Sequence, residues 1–331
     1  MTALLAIEQA GPLTTLQDAG RPGHMRFGVT ASGPVDRTAF AAAQAALGNA
    51  PDATAIELSL GGLTLACLEG EIGFALTGGD FTASVEGVAL GSNCVGVLHQ
   101  GERLIIREGT TGNWAILALA GHLESRRWLG SAATLALAGL GGGKLAAGDR
   151  LRVSNPTPGI IPRPLPPAPA ATGPFRIVLG PQEQYFTDEA LAALTGKDFA
   201  AGAAFDRMGM VLTGPALVPT ALDMLSAPLV RGGLQVNGAG VVTVLLADHQ
   251  TSGGYPRIAT VISADVDRLA QLRTGTPLRF QAVSVAEAIA AARAKAAAEA
   301  AWLAAVATPP LAFADRLFAA NLIDGVVNAR T

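Results

Sequence analysis

Between residues 155 and 174 the chain reads NPTPGIIPRPLPPAPAATGP, and no other stretch limits its folding more. Proline fixes φ and removes a backbone donor, so this density excludes a helix or a central strand and predicts an extended linker. We place the linker at residues 156–174. It separates a first β-rich segment, residues 1–155, from a second, residues 175–285. A helical tail follows at 286–331. An ancestral duplication of the two β segments is conceivable, but no internal identity supports it.

The segments before and after the linker share one texture. LTLACL, IGFALTGGDF, TASVEGVAL, CVGVLHQGERLIIREG and WAILALAG precede it; FRIVLG, MVLTG, GGLQV, VVTVLLAD, ATVIS and LRFQAVS follow. Short apolar runs between Gly and Asp turns predict strands of a barrel or sandwich. Alanines over residues 33–49 predict a helix stopped by Gly48-Asn49. Thr187 is placed to cap a helix over 187–194. Another short helical stretch is expected at Asp265–Leu272. Alanine propensity makes residues 285–307 helical, and Pro309-Pro310 stops them. Beyond, Leu311, Phe313, Leu317, Phe318 and Leu322 are spaced for one apolar helix face, suited to packing on a barrel or a partner chain.

Half of the residues are apolar and 15% are charged, which excludes wholesale disorder. A net charge of -3 gives no electrostatic case for nucleic acid or an anionic membrane. Cys67 and Cys94 lack metal spacing and read as core thiols in a reducing compartment. No basic leader precedes the first apolar run, and no apolar run reaches membrane-spanning length. The chain therefore reads as cytoplasmic. No HExxH, paired CxxC or Walker loop is present, and the histidines at 24, 99, 122 and 249 lack ligand spacing, so no metal site is expected.

Five clusters gather polar chemistry. Gln17, Asp18 and Arg21 lie in TTLQDAGRPG, either as a turn in which Asp18 pairs with Arg21 or as support for a site. Ser32 and Asp36 lie in GVTASGPVD, before a helix start. Ser32 is expected to cap that helix, whose positive end can also hold an anion. Thr77-Gly78-Gly79-Asp80 reads as hairpin chemistry. Arg207, in FDRMG, makes a surface pair with Asp206 or clamps a carboxylate or phosphate. The richest is Asp248-His249-Gln250-Thr251-Ser252-Gly253-Gly254-Tyr255-Pro256, after the buried strand VVTVLLA. Loops on a rigid scaffold commonly carry function. Asp248 can position or deprotonate an amide N–H, Gln250 and Thr251 can read an amide, and Gly253-Gly254 can offer N–H groups to an oxyanion. Gln235, in GGLQV, is expected to face the same place.

In order along the chain, TTLQDAGRPG, GVTASGPVD, LGN, AIELSLGG, ALTGGDF, DRMG, GGLQV and DHQTSGGYPRIATVISADVDRLAQL resemble one family. It is the biotin-dependent carboxyltransferase family that includes the C subunit of 5-oxoprolinase, KipA and half of the urea carboxylase carboxyltransferase domain. The resemblance runs from about Gly11 to Glu287. It implies a mainly β fold of two cyclophilin-like β-barrel domains with a few short helices. It also implies a KipI-like partner (the B-type component of 5-oxoprolinase), with either an A-type 5-oxoprolinase component or biotin carboxylase and carrier chains. ATP or biotin would be supplied or completed by those partners. On this resemblance Asp248 is the catalytic residue; Gln235, Gln250, Thr251, Gly253, Gly254, Tyr255 and Arg207 bind substrate; Gln17, Asp18, Arg21, Ser32 and Asp36 support them. Gln235 and Asp248-His249-Gln250 stand where urea-carboxylating relatives carry Asn and Asp-Gly-Pro. The chain thus looks closer to the oxoprolinase branch. The alternative is a non-catalytic KipA-type module that antagonises a kinase-inhibitor partner. Prolyl isomerase activity, suggested by fold alone, is disfavoured because fold does not set function.

Overall fold

The computed structural model describes residues 2–309, so the expected helix face at Leu311–Leu322 lies outside the described residues. Among them the chain is mainly β, as expected, with four α-helices. Residues 2–164 build a seven-stranded and a six-stranded sheet. Leu5, Ile7 and Leu65 of the larger sheet and Phe74, Leu76 and Leu117 of the smaller meet in one fully buried core. The opposite face of the smaller sheet, with Ala75, Val95, Ile116 and Ala118, is covered by helices α1 (Arg37–Leu47) and, farther along the chain, α4 (Val285–Ala307). Burial on both faces explains why IGFAL and AILAL are continuous apolar runs rather than alternating ones. Cys67 and Cys94 are free, buried thiols in this half.

Within the proline-rich stretch, Arg163–Pro164 pairs along the edge of the six-stranded sheet. An edge position tolerates the missing proline donor.

Residues 175–282 form an eight-stranded sheet and a two-stranded ribbon. Three neighbouring strands decide where the site lies: Gly209–Thr213, Val242–Leu245 and Gly233–Val236, paired antiparallel in that order. Met210, Leu212, Val242, Val244, Leu234 and Val236 point inward to a core shared with helix α2 (Asp188–Gly196). Strand alternation then sends Gly209, Val211, Thr243, Leu245 and Gln235 to the opposite face.

The helices follow their sequence signals with small shifts. The α1 N-cap is Asp36, whose Oδ1 accepts the Ala39 N–H at 2.8 Å, and Gly48 ends the helix in the left-handed conformation. Ser32 is therefore not the cap; at φ 52° its hydroxyl accepts from Arg21 instead. Helix α3 covers Ser263–Ala270, two residues earlier than expected. α4 matches its expected span, with Ser284 and Glu287 closing a capping box. It packs on α1; Trp302 Nε1 donates to the Pro166 carbonyl at 3.0 Å, and Arg163 donates to the Val306 carbonyl at 3.2 Å.

Strands Thr2–Ala10, Ala55–Leu58, Arg150–Ser154 and Phe199–Phe205 carry no clear sequence signal. Several are alanine-rich, and alanine has weak strand preference, so long-range pairing decides their conformation. The parts before and after residue 164 are clipped together by Gln271. Its Oε1 accepts the Asn113 and Trp114 N–H groups at 2.8 and 2.9 Å, and its Nε2 donates to Asp36 Oδ2 at 2.7 Å. Among the described residues no helix is long and apolar enough to cross a membrane.

Candidate functional site

A cleft of about 570 Å³ opens on the outward face of the eight-stranded sheet. Its floor is Val211, Thr243, Leu245 and Gln235. One wall is the 204–209 turn, where Asp206 Oδ1 accepts the Met208 and Gly209 N–H groups at 2.7 and 3.0 Å. The other wall is the loop after strand Val242–Leu245, which contributes His249, Gln250, Gly253, Gly254 and Tyr255. The walls are stitched together at their base: Leu246 N–H donates to the Met208 carbonyl at 2.9 Å and Asp248 N–H to the Arg207 carbonyl at 2.7 Å. The buried strand thus carries the loop to the cleft, and Gln235 arrives from the neighbouring strand, as its sequence position suggests. Gln235 Nε2 donates to the Tyr255 carbonyl at 3.4 Å. At Gly253 an added Cβ would stand 2.8 Å from that same Nε2, so glycine keeps the amide in place. Thr251, also expected here, lies outside the lining; its carbonyl accepts the Leu229 N–H at 3.0 Å.

His249, whose sequence spacing suits no metal, lines the cleft while only 5% exposed. Its Nδ1 lies 2.6 Å from the Gln250 carbonyl. A carbonyl only accepts, so Nδ1 carries the proton and Nε2 is left as the basic nitrogen. Burial pushes the imidazole pKa down, and the Arg231 and Arg257 charges add to this against the Gln250 carbonyl and Asp248. The ring is a neutral base at neutral pH. The available signal was position: a histidine just past the end of an apolar, mostly buried strand.

Asp248 and Arg207 do not line the cleft, and two expectations are corrected there. Arg207 is 4% exposed and clasps Asp248 with two bonds, Nε to Oδ2 at 2.8 Å and Nη2 to Oδ1 at 3.0 Å. Its Nη1 donates to Glu57 Oε1, and Nη2 also reaches the Gly33 carbonyl at 2.7 Å. With its three nitrogens engaged, Arg207 has no free edge for a substrate anion, and its pair is neither Asp206 nor at the surface. Asp248, with both oxygens on Arg207, fixes the loop base rather than meeting substrate. Burial alone would lower the Arg207 pKa, but the two carboxylates outweigh it and raise it. Burial pushes Glu57 up against the pull of Arg207 and the Val35 N–H.

The remaining expected residues form separate assemblies. Asp18 does not hydrogen-bond the Arg21 side chain. It accepts from Ser131 Oγ at 2.6 Å, Ala132 N–H at 2.6 Å and Ala133 N–H at 3.2 Å, holding that loop. Gln17 donates to the Thr134 carbonyl at 3.2 Å, and Arg21 to Ser32 Oγ and the Ala133 carbonyl. Asp36 lines a second cavity, of about 810 Å³, with Gly78, Gly79, Asp267, Lys295 and Glu299. Burial first, then the nearby Asp267, pushes Asp36 up to about 6.

The residues lining the cleft include no Lys or Arg to meet a triphosphate. Among the described residues no group of three or more His, Cys, Asp or Glu could hold a metal ion for one. The polar side chains of the cleft are the His249 imidazole, the Gln235 and Gln250 amides, the Thr243 and Tyr255 hydroxyls and the Asp206 carboxylate, one oxygen of which is taken by the wall's own N–H groups.

Residues 27–282 match the family described as carboxyltransferase domain, subdomain A and B. The C subunit of Escherichia coli 5-oxoprolinase is 33% identical over 290 residues, covering 86% of this chain and 93% of that protein. The crystal structure of TTHA0988 is 33% identical with a TM-score of 0.76, covering 84% of this chain but 56% of that one, so this chain spans little more than half its length. The Kluyveromyces lactis urea carboxylase superposes with a TM-score of 0.82 over 93% of this chain and 30% of that one; at 23% identity the likeness is one of fold.

Proposed function

The chain belongs to the carboxyltransferase family of subdomains A and B, and from that premise we propose that it is the C-type subunit of an ATP-dependent lactam hydrolase of the 5-oxoprolinase type. It works with a KipI-like, B-type partner and an A-type partner, which bring or complete the ATP site. The same reading treats the chain as two β domains joined by the proline-rich linker. Identity favours it over carboxyl transfer by a urea carboxylase: the E. coli C subunit is 33% identical to this chain, the K. lactis urea carboxylase 23%.

The observation that carries the reading is the joint presence of Gln235 and a neutral His249 in one cleft. A lactam presents an N–H donor and a C=O acceptor side by side. A primary amide such as that of Gln235 or Gln250 offers the complementary acceptor and donor. His249 Nε2 takes a proton from the amide nitrogen or from an attacking water. Gly254 leaves open space at the rim, where its backbone N–H stabilises charge on the carbonyl oxygen. Asp248, Arg207 and Glu57 hold this wall rigid from beneath. No step is assigned to ATP or biotin on this chain.

The test is co-expression with the KipI-like and A-type partners. ATP-dependent opening of 5-oxoproline that is lost in Gln235→Leu supports the proposal. Stable assembly without turnover on any lactam or urea overturns it in favour of a regulatory module.

A further inference from the structure

Arg257 is 7% exposed. Its backbone N–H donates to Gln182 Oε1 at 2.8 Å, but its guanidinium meets no acceptor among the described residues. The two other buried arginines differ. Arg21 donates to Ser32 Oγ and the Ala133 carbonyl, and Arg207 is held by two carboxylates and a carbonyl. Burial pushes the Arg257 pKa down, and no neighbouring carboxylate counters it. The Arg257 Nε is buried without a partner, which is costly, while the two terminal nitrogens stay accessible and unpaired.

Its direction is set by the sheet. Arg257 stands opposite Gln235 in the antiparallel pairing, so both side chains leave on the same face. On that face Gln235 and Leu245 line the cleft, and Arg257 lies next to them at its margin, outside the lining itself. Arg257 Cδ lies 3.2 Å from where a Gly233 Cβ would stand, and Leu245 Cδ1 lies 3.4 Å from the same point. The arginine therefore runs across the bare backbone of Gly233 beside Leu245, a lining residue. Its charge is also felt at His249 in the wall above.

We propose that Arg257 is the residue with which this cleft recognises a carboxylate on its substrate, making the site selective for a lactam acid over neutral ureas and amides. The inference rests on the reading of the cleft given above. The planar guanidinium supplies two parallel donors to one carboxylate while Gln235 reads the lactam edge. A neutral ligand leaves the guanidinium unpaired and gains nothing from it.

The experiment is calorimetric titration of the chain, assembled with its partner subunits, using 5-oxoproline, 2-pyrrolidinone and inorganic phosphate. The same neutral and charged probes are run on Arg257→Met, Arg257→Lys and Gln235→Leu. Arg257→Met should weaken 5-oxoproline binding by about thirtyfold, the size expected for losing a charge-assisted hydrogen bond. Binding of 2-pyrrolidinone should be unchanged. Arg257→Lys should recover part of the loss, since charge remains and the fork does not. Arg257→Met should also melt no lower than the unaltered chain, because it removes a buried donor that has no partner; a structural role would show the reverse. If 5-oxoproline binding falls in Gln235→Leu but not in Arg257→Met, the cleft stands and Arg257 is not its anion site. Phosphate binding that equals that of 5-oxoproline and vanishes with Arg257 overturns the carboxylate assignment. Failure of both lactams to bind the unaltered assembly overturns the cleft and this inference together.

Discussion

Arg207 and Asp248 meet through two parallel hydrogen bonds of 2.8 and 3.0 Å, deep beneath the cleft that their neighbours line. Glu57, 150 positions earlier, completes the group through the remaining guanidinium nitrogen. The arrangement joins a strand of the first half to the loop that carries the candidate site. Removing the cation leaves two buried carboxylates without their shared counter-charge, Glu57 keeping only the Val35 N–H. Arg207→Met is expected to cost about 3–5 kcal/mol, read by urea denaturation. A loss below about 1 kcal/mol would show that the group contributes little.

Because Asp248 is committed to Arg207, Asp248→Asn should alter stability more than chemistry. Turnover per folded molecule should stay within a few-fold of the unaltered enzyme. A fall of about a hundredfold or more in kcat, with the fold intact, would restore Asp248 as the general base.

Gly253→Ala places a methyl group 2.8 Å from Gln235 Nε2 and 3.0 Å from Leu229 Cδ1. The flexible amide should yield and lose its register with the ligand. KM for a lactam should rise while stability changes by less than about 1 kcal/mol, as for most substitutions away from the core. An unchanged KM would separate Gln235 from substrate recognition.

The His249 pKa is lowered chiefly by burial, so the folded protein disfavours its charged form. The acid limb of kcat/KM should therefore fall below the ordinary histidine value of about 6.5, and His249→Gln should abolish that limb along with most of the activity. The same linkage makes stability fall as pH drops through the unfolded-state value, since only the unfolded chain takes the proton freely. A limb at or above the ordinary value would contradict the assignment.

Asp36 has the opposite sign from a usual paired carboxylate. Its pKa is raised to about 6 from 3.8 by burial and by Asp267. Between these values the folded state holds a proton that the unfolded state has lost, so stability declines as pH rises through that window. Asp267 opposes this at lower pH: burial works against its charge, but Arg231 and Lys295 hold its pKa down. Asp36→Asn keeps an N-cap and should flatten the decline between pH 4 and 6 in thermal melts. An unchanged slope would assign the titration elsewhere.

The sequence disclosed the parts whose causes are local. Alanine propensity and Ser284 to Glu287 define α4, and a buried strand ending in a glycine-rich polar loop marked one wall of the cleft. Gln235, a polar residue in the run GGLQV, was expected to face that loop, and it lines the same cleft. What was hidden depends on partners far along the chain. The engagement of Arg207 by Glu57, of Asp18 by residues 131–133 and of Gln271 by Asp36 spans 113 to 235 positions. Adjacent charges suggested pairs such as Asp206 with Arg207 or Asp18 with Arg21, and the fold chose others. Ligand spacing tests a histidine only as a metal donor, and so it is silent on His249, whose tautomer is set by a carbonyl one residue away.

The claim that the outward cleft of the second half receives the substrate can be measured at one atom. The chain has four histidines, and among the described residues only His249 lines that cleft. With this chain labelled at its imidazole nitrogens and its partners unlabelled, 5-oxoproline should shift the His249 Nε2 resonance and leave those of His24, His99 and His122 in place. A bound ligand that leaves His249 unmoved would contradict the account.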